Sequence, residues 1–319
     1  MSAHNHTRFF PLLKAFFCLA IAILCWSEFS PPVTATELRG SIDFHVHSAP
    51  DVTPRLYDDL ELVQRAEAAG MAGIVLKNHV TPTADRAVLA HKVVPGIEVY
   101  GGVVLNQAVG GLNLEAIKVM DRLGEGRGKI VWLPTIDAAH HRQTLRQLSG
   151  GLQVTRRGKL VSEMQDILQY IGDRQIILGT GHISPAEILT VVAAAPQFGI
   201  EKILVTHAMA TVPGLTLDQM QILADQGALL ELTYVNTLMG ANSVEADHHM
   251  WGEVTIAAMA EAIQSIGAKH FVLSTDLGRS LDPSPIEGYQ TFLDELAAAG
   301  IPETDLNLMS HTNPQWLLE

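Results

Sequence analysis

Eight short runs dominated by Val, Ile and Leu recur along the chain, each separated from the next by stretches whose apolar residues have helical spacing. The runs are SIDFHVH (41–47), GIVLKNH (73–79), EVYGGVVL (98–105), KIVWLP (129–134), QIILGT (175–180), KILVTH (202–207), ALLELTY (228–234) and HFVLSTD (270–276). Nearly continuous apolar runs of this length suit parallel strands covered on both faces. The intervening stretch LYDDLELVQRAEAAG (56–70) is amphipathic and ends at Gly70, a helix-stopping residue. Ser184-Pro185-Ala186-Glu187, Ser284-Pro285-Ile286-Glu287 and Thr216-Leu217-Asp218-Gln219 each read as a capped helix start. Eight such repeats predict an α/β fold, a (β/α)8 TIM barrel over residues 36–319. An open doubly wound sheet would be expected to carry G-x-G-x-x-G after a strand, and no such motif occurs. The glycine-rich GEGRG (124–128) precedes a strand and reads as a surface turn.

Strand starts at 129 and 175 lie 46 residues apart, and those at 228 and 270 lie 42 apart, against 25 to 32 for the other intervals. The extra residues, which include 136–161 and 235–252, are expected on the C-terminal face of the barrel, where active sites are built. Within the first, LQVTRRGKLV about Arg157-Gly158 predicts a small hairpin lid.

The 14 histidines are the unusual count, and several fall at strand ends. His45 and His47 close the first run; two apart on a strand, they share a face. Lys77 and His79 repeat that spacing on the second. His182 follows the fifth, His207 closes the sixth and Asp276 closes the eighth. All would lie on one rim. Nitrogen ligands with a carboxylate suit Zn²⁺, with Fe²⁺ or Mn²⁺ as alternatives, as one ion or two.

The first 35 residues stand apart from this pattern. Arg8 and Lys14 precede a twelve-residue apolar run, Ala15 to Trp26, and a small-x-small site, Val33-Thr34-Ala35, follows. This is the layout of a secretory signal peptide. The run is short for a span of roughly 20 residues, so contact with membrane is expected only through this segment. Both cysteines, Cys18 and Cys25, lie within it, so the exported chain would have no thiol. No Gly-x-Ser-x-Gly elbow occurs, and neither a serine nor a thiol nucleophile is supported. The net charge of −13 disfavours a nucleic-acid partner, because such a surface repels phosphate backbones. A small-molecule substrate is the expected partner.

Taken together, these residues resemble the amidohydrolase superfamily. The matching pieces are His45-Val46-His47, His182 in Gly-Thr-Gly-His-Ile-Ser, His207 in Val-Thr-His-Ala, Asp276 in Ser-Thr-Asp-Leu-Gly, and the closing Asn313-Pro314-Gln315-Trp316-Leu317-Leu318. PTADRA (82–87) and GGVVLNQAVGGLN (101–113) resemble a bacterial branch with no assigned substrate. The resemblance implies a distorted barrel with one or two metal ions. It also implies a bridging lysine or glutamate, usually on strand four, where this chain has Trp132-Leu133-Pro134-Thr135. Lys77 is the nearest substitute and is favoured as metal-linked, for instance as a carbamate. Alternatively Lys77 stays a cation that binds an anionic substrate group, or Asp137 is the missing ligand, or the site holds a single metal.

His79 and Asn106 are candidate substrate contacts, although Asn106 can equally cap the turn at Gly110-Gly111. His140-His141 and His248-His249 lie in the long loops, where at most one of each pair can face a site and solvated residues are the simpler expectation. Glu231 would be buried with a base partner, and His91, His270 and His311 would be structural. A metal lowers the pKa of bound water from 15.7 to about 7. Asp276 would accept the proton and pass it to the leaving group. That describes hydrolysis of an amide, ester, lactone or phosphoester. A single-metal decarboxylase or lyase, or a secreted binding barrel without turnover, are the alternatives.

If the N-terminal segment directs export, the mature chain starts near Thr36 in a periplasmic or secreted fraction. N-terminal sequencing that finds Met1 intact on cytoplasmic protein would contradict this.

Overall fold

The computed structural model describes residues 38–123 and 125–319. The signal peptide expected over 1–35 lies outside the described residues. The eight barrel strands are β1 (Ile42–Val46), β2 (Gly73–Leu76), β3 (Glu98–Val104), β4 (Gly128–Trp132), β5 (Ile177–Gly179), β6 (Ile203–Val205), β7 (Leu229–Thr233) and β8 (Phe271–Ser274). They pair in parallel in chain order. A parallel bridge between Val46 and Leu277, with His47 N donating to Leu277 O at 2.9 Å, brings β8 back to β1. The sheet is thus a nearly closed (β/α)8 barrel. Each of the eight runs read from the sequence contributes one strand. The expected caps form as well: Ser184 with Glu187 and Thr216 with Gln219 make reciprocal capping boxes, and the Ser284 hydroxyl accepts from Glu287 N. No helix among the described residues is long and apolar enough to cross a membrane.

Side-chain parity divides the buried apolar residues. An inner cluster takes Val75, Val104, Ile130, Trp132, Ile177, Leu204, Leu229 and Val272 from seven strands, with Leu317 and Leu318 of the C-terminal helix. Their strand neighbours, such as Ile74, Val103, Val131, Leu178, Val205, Leu230 and Leu273, join the outer cluster beneath the helices. Because alternate residues share a face, Lys77 two after Val75 and Glu231 two after Leu229 continue the inner face toward the C-terminal rim. Strand β1 departs from this. Ile42 and Phe44 belong to the inner cluster, Val46 to the outer, and the register with β2 shifts between Asp43 and Val46. The irregularity changes the parity so that His45 and His47 turn inward, a common use of bulges beside functional sites.

Trp132 fills the inner layer below the rim. Glycine makes room for it. A Cβ on Gly179 would stand 2.5 Å from the indole Cδ1, and one on Gly102 would stand 2.8 Å from Cζ3. Overpacking of this kind costs about 1–3 kcal/mol. Gly179→Ala is therefore expected to lower unfolding stability by about that amount, read by urea denaturation. An unchanged midpoint would show that the indole relaxes freely.

Candidate metal centre

His45 is fully buried, with its ring 6.3 Å from that of Trp132. Its Nδ1 lies 3.2 Å from Glu231 Oε2. Its Nε2 lies 2.9 Å from Asp276 Oδ1 and 2.8 Å from Lys77 Nζ. His47 Nε2 reaches the same Asp276 oxygen at 3.0 Å. His45, His47 and Asp276 are the one group of three potential ligands among the described residues whose donor atoms all lie within 4.8 Å of one another.

The backbone at this rim is held in uncommon conformations. Asp276 has φ 52° and His207 has φ 28°, both in the left-handed region that costs a non-glycine residue energy. Asp276 N donates to His45 O at 2.7 Å, and His207 N donates to Glu231 Oε2 at 3.0 Å. One Glu231 oxygen therefore fixes both a ring and a strand end. Asp43 plays a similar part on the other side. Its carboxylate accepts from Thr275 N at 3.0 Å, Thr275 Oγ1 at 2.5 Å and His45 N at 3.2 Å, tying β1 to the residue before Asp276. Burial pushes the Asp43 carboxyl up to about 7. Asp43 belongs to no motif of its own; its alternation with His45 and His47 is the one sign of it in the sequence.

Burial lowers the imidazoles of His47, His79 and His182 well below the ordinary range, and that of His207 to about 4. These rings are neutral, the form that ligates a metal. Burial alone would raise the Asp276 carboxyl, but His45, His47 and Lys77 outweigh it and hold Asp276 well below the usual carboxylate range. For Glu231 burial again raises, and His45 outweighs it. His45 is the exception among the rim rings: burial lowers it, and Asp276 and Glu231 more than reverse this. Burial also depresses Lys77. Two carboxylates, the buried Glu231 and the cavity-lining Asp276, thus face His45 and draw positive charge into this spot. Glu231 Oε1 and His207 Nδ1 are buried without a hydrogen-bond partner. Neutral nitrogens on His47, His182 and His207, two carboxylates, and the positive charge these draw onto His45 fit a divalent cation, which would supply that charge at the same spot.

His182 and His207 form a second pair beside this group, with their Nε2 atoms 2.9 Å apart. His182 Nδ1 meets His141 Nδ1 at 2.8 Å, and Trp251 stands edge-on to all three rings at 5.9–6.0 Å. A cavity of about 470 Å³ opens over both groups, with His47, His79, His182, His207 and Asp276 in its wall. His45 and Lys77 are buried behind that wall.

Several expectations are corrected. Asn106 is not a substrate contact: it is fully buried, and its amide is spent inside the protein. Its Nδ2 donates to His79 O and Thr135 Oγ1, and its Oδ1 accepts from Thr135 N at 2.8 Å. Asn106 is instead the strut that positions His79, whose Nδ1 meets Thr135 Oγ1 at 2.9 Å. Asp137 does not join the histidines; its Oδ2 accepts from Gln107 N. The hairpin Thr155–Arg156 with Lys159–Leu160 forms, but it is no lid. Backbone N–H groups of Val154 and Thr155 dock it on Glu187, and it lines no part of the central cavity. Of the paired loop histidines, His141 and His248 turn into the cavity wall, while His140 bonds Pro213 O and His249 bonds Ser243 O. Solvation of all four is therefore wrong for one member of each pair. His91 bonds Ile97 O and His311 bonds Gly40 O, away from the rim.

Fold and site together describe a (β/α)8 barrel with a histidine-rich, carboxylate-bearing cavity at the strand C-termini. Residues 40–231 match the family described as "Family of unknown function (DUF6282)", and the chain belongs to it. The matched segment holds His45, His47, Lys77, His182, His207 and Glu231, and ends before Asp276. No curated protein matches the chain. Among solved structures the chain is similar to an amidohydrolase from Pseudomonas aeruginosa, with TM-score 0.58 and 14% identity over 90% of this chain and 98% of that one. It is similar to the probable dipeptidase PvdM from Pseudomonas aeruginosa, with TM-score 0.62 and 11% identity over 89% and 96%. A third is 2,6-dihydroxybenzoate decarboxylase from Rhizobium, with TM-score 0.54 and 12% identity over 88% and 98%. At these identities the likeness is one of fold: the chain has the barrel of amidohydrolase-superfamily structures.

Glu231 sets which nitrogen of His45 faces Asp276. Loss of such an outer partner typically costs about 10–100-fold in metal affinity. Glu231→Gln is expected to weaken divalent-metal binding by about that factor, measured by chelator competition. Unchanged affinity would show that Glu231 serves packing alone.

Proposed function

We propose that this chain is a metal-dependent hydrolase acting on an amide, ester, lactone or phosphoester. The observation that carries the reading is the convergence of ligand atoms of His45, His47 and Asp276 within 4.8 Å of one another, His47 and Asp276 on the wall of a cavity and His45 buried behind it. These three would hold a first divalent ion, most simply zinc, since donors at about 2.0–2.2 Å from Zn²⁺ span such a set. His182 and His207, paired 2.9 Å apart, would hold a second, with Lys77 as the link between the two. When bound, the ion lowers the pKa of coordinated water and polarises the scissile carbonyl or phosphoryl oxygen.

The chain's own residues supply the rest. Asp276 is an anion with Oδ1 turned to the two histidines. It accepts the proton of the attacking water as the new C–O or P–O bond forms. It returns that proton to the leaving group as the old bond breaks. Glu231 keeps the His45 ring from rotating, and the Asn106–Thr135 pair does the same for His79, which lines the cavity as a substrate contact. Trp251 stands edge-on to the second histidine pair in the cavity wall and gives the substrate an apolar surface there.

A decarboxylase on the same barrel is the second reading. It is favoured by Thr135, rather than Lys or Glu, after β4, and by a single converging group of three donors. Hydrolysis of a panel of esters, lactones and amides in H₂¹⁸O separates the two. Label in the released acid supports the hydrolase; with carboxylic acids added to the panel, carbon dioxide released from them and no labelled acid from the others supports the lyase.

Lys77 decides the metal count. Lys77→Ala is expected to remove one ion per chain, with partial recovery of activity by short carboxylic acids. A variant that keeps its full metal content, and only binds anionic substrates less well, would make Lys77 a substrate cation.

A further inference from the structure

Two arginines stand together in the cavity wall. The backbones of Arg55 and Arg279 meet in an antiparallel bridge, and Leu56 N donates to Gly278 O at 2.9 Å beside it. Both side chains line the cavity that also exposes His47 and Asp276. Arg55 Nη2 lies 3.2 Å from His47 Nδ1, so this wall adjoins the three-donor group directly.

Their counter-charges leave hydrogen-bonding capacity unspent. Asp51 Oδ2 takes both Nε and Nη2 of Arg55 at 2.7 Å, while Asp51 Oδ1 accepts from Val52 N. The Arg55 and Asp51 side chains are 5% and 2% exposed, so that pair is fixed. Arg279 gives only Nη1, to Asp247 Oδ2 at 3.0 Å, with Glu245 Oε2 further off at 3.9 Å. Asp247 is 73% exposed, and an exposed pair of this kind holds its partner weakly. Among the described residues no hydrogen bond uses Arg55 Nη1, Arg279 Nε or Arg279 Nη2. A guanidinium edge with spare donors matches a planar or tetrahedral oxyanion. On a chain of net charge −13, two adjacent arginines put positive donors into a wall that also carries Asp247 and Asp276. The rest of the wall includes Ile136, Leu145, Val235, Met239 and Trp251, which suit an apolar body.

We propose that the cavity takes substrates bearing an anionic oxygen group, a carboxylate or a phosphate, which Arg55 and Arg279 hold while the bond to be cleaved lies over His47 and Asp276. The placing of the cleaved bond rests on the hydrolase reading above; the anion subsite itself does not.

Calorimetric titration of the purified protein with glutarate, inorganic phosphate and uncharged glutaramide tests this, with metal content measured on the same samples. Glutarate or phosphate should bind and glutaramide should not. Arg279→Gln should weaken the anion about tenfold, the loss of one charge-assisted hydrogen bond, with metal content unchanged. Arg279→Lys should recover only part of this, because an ammonium lacks the fork. The tighter of the two anions identifies the substrate group as carboxylate or phosphate. Absence of binding by both anions overturns the subsite. So does an affinity that Arg279→Gln leaves unchanged, which places the anion on the metal alone. Metal-free protein that still binds the anion through Arg279, and never takes up metal, would sink the hydrolase reading and leave the subsite standing.

Discussion

The His45 ring is the interaction on which the rest of this site depends. It is clamped between Glu231 on one nitrogen and Asp276 on the other, above Trp132 and out of contact with water. A ring so held cannot change which nitrogen faces the cavity without breaking a buried charged contact, and breaking one typically costs about 3–5 kcal/mol. The clamp also crosses the barrel. Glu231 comes from β7, Asp276 follows β8, and His45 comes from β1, so three strands share one side-chain network. Asp43 and Thr275 add a second tie between the first and last strands, at the seam where the barrel meets itself. Closure of the fold and assembly of the site are one event at this seam.

Burial gives the site its chemistry. It strips His47, His79, His182 and His207 of their protons and leaves neutral donors. It would also neutralise Asp276 and Glu231, and the facing His45 prevents that. The result is a set of lone pairs around two negative charges, with the positive charge drawn onto His45 and the depressed amine of Lys77 set against them. Such an arrangement is costly for a protein that uses it only for stability, since buried charges seldom repay their desolvation. The left-handed backbone of His207 and Asp276 adds to that cost at the same two strand ends. Strain and perturbed groups gathered in one cavity are the physical mark of a functional site.

Much of this was legible in the sequence, for reasons that differ by residue. Parallel strands place all their C-terminal ends on one rim, so His47, His182, His207 and Asp276 could be brought together by strand order alone. Lys77 followed from its spacing with His79 on the second run, and the burial of Glu231 beside a base from its place inside the seventh. The inward turn of His45 with His47 needed the register shift in β1, which no local motif announces. Asn106 misled because an asparagine at a turn carries the same sign whether it meets a ligand or a neighbouring backbone; only the position of Thr135 across the rim decides. His141 and His248 were hidden for a related reason. Which of two adjacent loop histidines turns inward depends on how the helix Ala139–Arg146 and the turn Ala246–His248 pack, not on spacing.

The most direct test of a divalent cation at His45, His47 and Asp276 is elemental analysis of the protein purified without chelators and after incubation with zinc. The account predicts at least one divalent ion per chain, bound by nitrogen and oxygen donors and lost from a folded His47→Ala, Asp276→Ala double variant. Wild-type protein that stays folded and carries no stoichiometric metal after zinc incubation, or a double variant that binds as much as wild type, would contradict it.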